Sequence, residues 1–309
     1  MENKVIIDCD VGVDDALALI LAFHSMEIRV EAITGVNGNV PLDQVFENIQ
    51  KVLSLLRPQH KPFIAKGADR PLKGIPVYDH SVHGKDGLGG AHVDRRQGEE
   101  GGQVYTGFAD ELILQMIRQY PNQLTLIAIG PLTNLALCLQ KDPEGMKKLK
   151  KVSIMGGAVR TKGNITPHAE FNIFSDPLAA DIVFKSGLPI TLVPLDVTRQ
   201  VHLTPQVMEE RIKPMNNPFS QFTIEAIGYD LEGHRFLRGT ELIYLHDTLA
   251  VGVILDPDLV RKERLAIDVK TEEGEHYGQT SEVKNGLMMD VCLEVNAERF
   301  LDLFISRLG

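Results

Sequence analysis

The sequence has few cysteines, no excess of basic residues and no apolar run of membrane-spanning length. Its three cysteines, Cys9, Cys138 and Cys292, lie far apart, each within an apolar stretch. Buried reduced thiols explain this distribution better than a disulfide framework or a zinc site does. The opening segment MENKVIIDCD passes directly into a strand pattern, without the basic and apolar regions of a secretory signal. A cytoplasmic protein without a transmembrane helix is therefore expected.

The charge balance excludes a further class of partner. Acidic residues outnumber Lys and Arg by 42 to 32, which gives a formal net charge of −10. A basic footprint for nucleic acid is therefore absent, and small molecules or cations are the favoured partners. The 309 residues contain 43% hydrophobic residues, and glycine and proline are scattered rather than clustered into linkers. We expect a single domain over 1–309 with a sizeable core.

Short β-branched runs alternate with helical patterns over the first two thirds of the chain. Strands are predicted at 5–7, 30–34, 124–129, 152–155 and 190–194, and helices at 16–24, 42–56, 131–139 and 176–185. This alternation predicts right-handed βαβ units and a mostly parallel sheet. Ligands of such sheets bind at the carboxyl ends of the strands, where this chain places loops rich in Asp, Asn, Gly and His.

The pattern changes after Asp196. Residues 205–240 are polar with helical spacing, and 247–254 form a short apolar helix. Strands at 265–270, 278–283 and 287–295 and a helix at 296–308 complete the chain. The predicted fold is a single Rossmann-like α/β domain, with a mostly parallel central sheet, an antiparallel C-terminal segment and helices that cap the site.

Four aspartates, Asp8, Asp10, Asp14 and Asp15, fall within eight residues directly after the first strand. Carboxylates this close repel one another unless a cation or protons neutralise them. An oxygen-rich, cysteine-poor loop favours a hard cation, Ca²⁺ or Mg²⁺, over zinc. Gly12 lets the loop bend so that residues on both sides converge.

Three specific interpretations of this loop compete. A helix N-cap at Asp14 or Asp15 explains one aspartate but not four. An EF-hand fails, because Val13 stands where the invariant Gly is required and Leu19 where the bidentate Glu is required. A phosphoryl-transfer D-x-D, with Asp8 or Asp10 as nucleophile and Mg²⁺, stays open, although Gly12 replaces the usual Thr.

The segment DCDVGVDDALAL at 8–19 closely resembles the amino-terminal signature of the inosine–uridine-preferring nucleoside hydrolase family. Further matches follow in the same order: GNV at 38–40, VHG at 82–84, IGPLTNLA at 129–136, IMGG at 154–157, AEFN at 169–172 and LHD at 245–247. The resemblance covers residues 5 to about 255. It implies an enzyme of nucleoside salvage that hydrolyses the N-glycosidic bond of purine or pyrimidine ribonucleosides to free base and ribose.

By this resemblance, Ca²⁺ is held by Asp10, Asp15, Asp247 and the backbone carbonyl of Ile129. A water bound to the metal would attack the anomeric carbon, with Asp10 as its general base. Taken alone, Asp247 is equally well explained as the N-cap of a helix that begins at Thr248. The family usually has Pro at this last position, a difference of little cost in a first helical turn.

Ribose recognition is assigned by the same resemblance. The residues concerned lie in loops after the strands: Asp14, Asn39, Met155, Asn164, Glu170, Phe171 and Asn172. Asn39 and Asn164 alone are typical of turns, and the spacing from Met155 to Asn164 is one residue longer than in some family members. Deoxyribonucleosides are expected to be poor substrates.

Two histidines are candidates for contact with the departing base. His246 precedes a predicted metal ligand, and His83 lies in a glycine-rich loop with the character of a mobile flap. His80 and His92 are expected to be solvated. Residues 215–245 shape the base pocket in this family, and here they contain Phe222, Thr223, Tyr229, His234 and Tyr244. The sequence does not indicate which of these face inward, so it predicts neither a purine nor a pyrimidine preference.

Two rival functions remain from the sequence, a Mg²⁺-dependent phosphatase-like enzyme and a non-catalytic nucleoside or ribose binder. The first leaves the AEFN and LHD matches unexplained, and the second gives no reason for Asp10 and His246 to be kept. The resemblance further implies a homodimer or homotetramer with a small-molecule ribonucleoside substrate.

Overall fold

The computed structural model describes residues 2–93, 101–238 and 242–309, with the backbone alone at 81 and 229–238. Most strands alternate with helices. The strands are β1 (Asn3–Cys9), β2 (Ile28–Gly35), β3 (Phe63–Lys66), β4 (Gln103–Val104), β5 (Leu124–Ala128), β6 (Lys151–Met155), β7 (Ile190–Val193), β8 (His202–Leu203), β9 (Ile243–Tyr244), β10 (Val260–Val269), β11 (Thr280–Val283) and β12 (Met288–Val295).

The α-helices vary from single turns to a helix of 21 residues. They are α1 (Val13–Phe23), α2 (Leu42–Leu56), α3 (His80–His83), α4 (Ala109–Gln119), α5 (Thr133–Lys141), α6 (Pro143–Met146), α7 (Phe171–Ser175), α8 (Pro177–Phe184), α9 (Leu195–Thr198), α10 (Pro205–Val207), α11 (Pro218–Arg238), α12 (His246–Leu255) and α13 (Ala297–Ser306). A π-helical turn at Met208–Ile212 comes directly after α10, and 3₁₀ turns lie at Lys213–Met215 and Pro257–Leu259.

One large sheet organises the described part of the chain. Its order is β11-β10-β12-β7-β6-β5-β1-β2-β3-β4, and β8 pairs with β9 separately. From β12 to β4 every neighbouring pair is parallel, whereas β10 runs antiparallel to β12 and β11. The chain extends from β1 through β2 to one edge and from β5 through β6 toward the other. The β1–β5 boundary is therefore a topological switch point, where α/β sheets bind ligands.

Both faces of the central strand are buried, as a parallel sheet covered by helices requires. In β1, Val5 and Ile7 join one apolar cluster and Ile6 joins the other, on the opposite face. Helix α1 packs against α12 on the first face. All three cysteines are buried and unpaired among the described residues, as expected. Within the same residues, no helix has the length and apolarity needed to cross a bilayer.

The predicted fold class is confirmed, and some element bounds are corrected. Helix α1 begins at Val13 rather than 16, and α5 at Thr133, so Pro131 lies before the helix and not in its first turn. Helix α12 begins at His246, which places Asp247 inside the first turn and rules out its interpretation as N-cap. Strand β10 begins at Val260 rather than 265.

The closing segment differs in a second respect. Strand β12 joins the main sheet in parallel with β7, and only β10 runs against its neighbours. Strands β3 and β4 and helix α4 were not predicted from the sequence. They extend the sheet and its cover on the side of β2.

Candidate active site

A pocket opens at the carboxyl ends of the central strands. Its empty space, counted out to the open mouth, is about 590 Å³. Its walls come from loops far apart in sequence and are formed by Asp14, Asn39, Asp79, Val82, His83, Ile129, Met155, Asn164, Glu170, Phe171, Asn172, Tyr244, His246 and Asp247.

The turn from β1 into α1 is organised by the carboxylate of Asp15. Its two oxygens accept hydrogen bonds from the backbone N–H of Gly12 at 2.8 Å and of Asp10 at 3.3 Å. Asp15 is the third residue of the helix, so these bonds satisfy backbone donors at the helix entrance. Asp15 therefore does cap the helix, but capping does not explain the other aspartates.

Asp10 is fully buried beside the pocket. Its Oδ2 accepts a hydrogen bond from the backbone N–H of Asn39 at 2.7 Å, whereas Oδ1 has no partner among the described residues. Burial, followed by the nearby charge of Asp15, raises the pKa of Asp10 well above its usual value. Two glycines make room for the carboxylate, since a Cβ on Gly38 would lie 1.9 Å from Oδ2 and one on Gly130 would lie 2.9 Å from Oδ1.

Three carboxylates converge next to Asp10. Oxygens of Asp14, Asp15 and Asp247 lie within 4.8 Å of one another, although Asp14 and Asp247 are far apart in sequence. Burial and then the charge of Asp14 raise the pKa of Asp15 to about 7, and the same causes raise the pKa of Asp247 well above its usual value. Such a group must bind protons or a cation at neutral pH.

The grouping differs from the expected ligand set in one residue. Asp14, which the resemblance assigns to ribose, lies in the tight carboxylate group, whereas Asp10, expected as a ligand, lies outside it. Asp10 is instead held by the Asn39 backbone. All four carboxylates are close to one pocket, so both assignments stay predictions.

The ends of β5 and β6 are joined by Asn172. Its Nδ2 donates to the carbonyl oxygens of Ile129 at 3.0 Å and Met155 at 3.3 Å. The carbonyl of Ile129 has a second lone pair for another partner. Glu170 is the N-cap of α7, and its carboxylate accepts backbone hydrogen bonds from Asn172, Ile173 and Gly157, the last at 2.9 Å. Glu170 thus positions the loop that carries Asn172.

Asn164 combines a structural and a pocket-lining role. Its Oδ1 accepts a hydrogen bond from the backbone N–H of Phe171 at 2.9 Å, and both residues line the pocket. The longer spacing after Met155 therefore does not remove Asn164 from the site.

The two candidate histidines are held in different ways. His83 Nδ1 accepts a hydrogen bond from the backbone N–H of Val13 at 3.1 Å. His246 Nδ1 lies 2.7 Å from Thr198 Oγ1, and the His246 ring stacks on Tyr244 with centroids 5.5 Å apart. Since a backbone N–H can only donate, His83 must keep Nδ1 unprotonated, and its neutral form carries the proton on Nε2.

Asp8, one of the two candidate nucleophiles of the phosphatase alternative, does not line the pocket. Its Oδ1 accepts hydrogen bonds from the side chains of Thr34 and Asn134, the latter at 2.8 Å, which joins β1 to β2 and α5. These contacts give Asp8 a structural place in the sheet.

The structure brings the predicted site residues together. All the predicted residues line the pocket except Asp10 and Asp15, which are buried next to it. Asp79, Val82 and Thr198 were missed as site residues; the first two belong to the same histidine-rich motif as His83, and that proximity was the available signal.

The residues singled out in the 215–245 segment do not all line the pocket. Tyr244 lines the pocket, whereas Phe222 and Thr223 are buried on α11 and do not line it. The side chains of Tyr229 and His234 lie outside the described residues. His80 and His92 are exposed, as expected.

Comparison with known proteins gives one consistent result. The family model described as inosine-uridine preferring nucleoside hydrolase matches residues 5–302. The pyrimidine-specific ribonucleoside hydrolase RihA of Photobacterium profundum is 35% identical over 315 residues, covering 100% of this chain and 99% of its own.

Solved structures agree over the same length. The plant nucleoside hydrolase PpNRh1 superposes with a TM-score of 0.92 at 31% identity, covering 100% of this chain and 99% of its own. The purine-preferring ribonucleoside hydrolase from Gardnerella vaginalis gives a TM-score of 0.90 at 31% identity, with coverage of 99% and 98%.

Proposed function

The chain belongs to the inosine–uridine-preferring nucleoside hydrolase family, and from that premise we propose how its pocket performs the hydrolysis of ribonucleosides. The enzyme class follows from the family: cleavage of the N-glycosidic bond, which serves nucleoside salvage. The proposal concerns the metal, the roles of the residues and the substrate range. The observation that carries it is that Asp10 Oδ1, which has no partner within the described part of the chain, lies beside three converging carboxylates.

We assign Ca²⁺ to the carboxylate group. The donor atoms are all oxygens, which suits a hard cation that accepts six to eight oxygen ligands. Asp10, Asp15, Asp247 and the Ile129 carbonyl would hold the ion, and Asp14 is close enough to join them or to bind substrate. When bound, calcium would supply positive charge that lowers the pKa of a neighbouring water.

Asp10 is proposed as the general base. Its Oδ1 accepts the proton of the attacking water, while the Asn39 backbone holds Oδ2 and keeps the carboxylate in orientation. Water attacks the anomeric carbon as the nucleobase departs, and positive charge develops on the ribose ring, as in glycoside hydrolysis. The surrounding carboxylates stabilise that charge.

The two histidines are proposed to have different roles. His83 cannot bind a proton on Nδ1 without losing the hydrogen bond from Val13, so it acts as a fixed donor at Nε2. His246 Nδ1 instead lies beside the Thr198 hydroxyl, which can donate or accept a hydrogen bond. His246 is therefore the acid that delivers a proton from Nε2 to the departing base.

Ribose specificity follows from the polar walls. Asn39, Asn164 and Glu170 line the pocket with amide and carboxylate groups that suit ribose hydroxyls. A 2′-deoxynucleoside would leave such groups unpaired, which costs about 10⁴-fold in kcat/KM at a site built for a hydroxyl.

Base preference is the open part of the substrate range. RihA is named pyrimidine-specific and the Gardnerella enzyme purine-preferring. Inosine, adenosine, guanosine, uridine and cytidine are therefore assayed separately in phosphate-free buffer, with free ribose as the readout. A parallel set receives a calcium chelator after dialysis, and calcium is then restored. Ribose release that falls on chelation and returns with calcium is expected; release untouched by chelation refutes the metal assignment.

A substrate with an activated leaving group separates the two residue roles. The para-nitrophenyl group departs from its riboside without protonation. His246→Ala should slow inosine or uridine hydrolysis and leave para-nitrophenyl riboside nearly unaffected, whereas Asp10→Asn should slow both. Equal losses of both substrates in His246→Ala would contradict the acid role.

A further inference from the structure

A second group of metal-ligating side chains lies outside the pocket. His168, Glu275 and His276 each offer one ligand atom, and these atoms lie within 4.8 Å of one another. His168 belongs to the segment between β6 and α7, whereas Glu275 and His276 lie in the connection between β10 and β11. Both histidines and the glutamate are at least partly accessible to solvent.

The backbone on both sides of this group is fixed by its own hydrogen bonds. Ala169 pairs with Gln279 in an isolated antiparallel bridge, directly beside His168. Lys270 N–H donates to the Gln279 carbonyl at 2.9 Å, and Gln279 N–H donates to the His276 carbonyl at 3.0 Å. Main-chain pairing therefore brings together the two segments that carry the three side chains.

The side chains contact one another, but at distances longer than a hydrogen bond. The rings of His168 and His276 have centroids 4.4 Å apart and are tilted by 56°. His168 Nε2 lies 3.6 Å from Glu275 Oε1, beyond a good hydrogen bond. In a tetrahedral zinc site with bonds of about 2.0–2.1 Å, ligand atoms are about 3.3 Å apart, so small rotations of exposed side chains suffice to reach that geometry.

The ligand chemistry differs from that of the pocket. Two imidazoles and one carboxylate suit zinc and neighbouring transition metals, with a fourth position left for water, whereas calcium prefers oxygen ligands alone. Glu272 and Glu273 flank the group in sequence and add negative charge, which raises the local concentration of cations.

We infer that His168, Glu275 and His276 form a site for a divalent transition metal such as Zn²⁺, separate from the carboxylate group of the pocket. The bound ion ties the turn that contains His168 to the β10–β11 connection. The same turn contains Asn164, whose backbone N–H donates to the Ala169 carbonyl at 3.1 Å, and leads into Glu170. Zinc bound outside the pocket therefore constrains the turn that forms part of the pocket wall.

The test is zinc binding by isothermal titration calorimetry to the full chain in excess calcium, so that the pocket carboxylates are occupied. Wild type should bind one zinc ion per chain that His276→Ala and His168→Ala bind at least about tenfold more weakly, since each loses a ligand. His60→Ala is the matched control: His60 pairs with Glu31 at 3.2 Å and has no second histidine beside it among the described residues.

Thermal melting in excess calcium is the second readout. Zinc should raise the Tm of wild type and His60→Ala and leave that of His276→Ala unchanged. Equal zinc stoichiometry and affinity in wild type and His276→Ala would overturn the inference, as would a loss of binding in His60→Ala of the same size. Because binding is measured directly, the result does not depend on the proposed catalytic roles.

Discussion

Replacing Gly38 with alanine tests how closely the pocket is built around Asp10. The added Cβ would lie 1.9 Å from Asp10 Oδ2 and 2.6 Å from its Cγ, far inside contact distance. Asp10 is fully buried, and its Oδ2 is bound by the N–H of the next residue, Asn39. Either the carboxylate or the loop must therefore move by about 1.5 Å to restore an ordinary contact of about 3.4 Å.

This displacement sets the expected magnitude. A misplacement of about 1 Å in a catalytic group costs about 100-fold in rate, and a decade corresponds to about 1.4 kcal/mol. We expect kcat/KM for the best ribonucleoside to fall by about 100-fold. Overpacking should also destabilise the fold by about 1–3 kcal/mol, less than a typical total stability, so the variant stays folded at 25 °C.

The assay is free-ribose release at saturating calcium, with circular dichroism to verify folding. Gly228→Ala is the matched control, because a Cβ there meets no described residue within 4 Å, and it should keep wild-type activity. If a folded Gly38→Ala retains kcat/KM within threefold of wild type, Asp10 does not need its observed position and the base assignment is refuted.

Three further predictions concern the proton and the metal. Asp10→Asn should lower kcat by about 10²- to 10⁴-fold, the contribution of a positioned general base; a loss below tenfold in single-turnover assays would exclude that role. Thr198→Val removes the hydroxyl at His246 Nδ1 and should slow hydrolysis of the best ribonucleoside by about tenfold, the worth of one hydrogen bond, while para-nitrophenyl riboside is unaffected. The folded pKa of Asp15, raised to about 7, exceeds the unfolded value of about 3.9, so the metal-free fold gains stability as protons bind and loses it as pH rises through 7. Differential scanning fluorimetry in chelator should give a higher Tm at pH 6 than at pH 8, and calcium should remove this difference; a metal-free Tm that rises with pH would contradict the reasoning.

The central strands and α2 were predictable because their hydrophobic periodicity is local. Helix α2 has the predicted bounds, and it ends where Arg57 adopts the left-handed conformation. Strand β1 is flanked by strands on both sides and covered on both faces, which its continuous apolar run indicates.

Elements whose residues face solvent were harder to predict. Strand β4 has two exposed residues, and the charged start of β10 becomes a strand only through its pairing with β12. The N-cap of α12 is Leu245, whose side chain cannot cap the helix. The capping preference of Asp therefore led to a predicted helix start that is two residues too late.

The resemblance named the candidate site residues, but their arrangement in space depends on the fold. Asp14 approaches Asp247 because α1 packs against α12, a contact between residues distant in sequence. The constraint on His83 likewise depends on a backbone N–H from Val13 that no sequence pattern reveals.

The strand order has a consequence for how such enzymes diverge. Apart from Asp247, the groups assigned to the ion and the sugar follow β1, β2, β5 and β6, where neighbouring strands hold them from both sides. The opposite wall comes from α3, which packs against α11, and from the start of α12, which carries His246 and Asp247. Substitutions of α3 residues other than His83, or of the α11 residues that support them, can reshape the space for a nucleobase without disturbing the strand ends or the start of α12. The residues assigned to the ion and the sugar can thus be inherited unchanged while the preferred nucleobase changes between lineages. The names of the pyrimidine-specific and purine-preferring relatives illustrate such a difference.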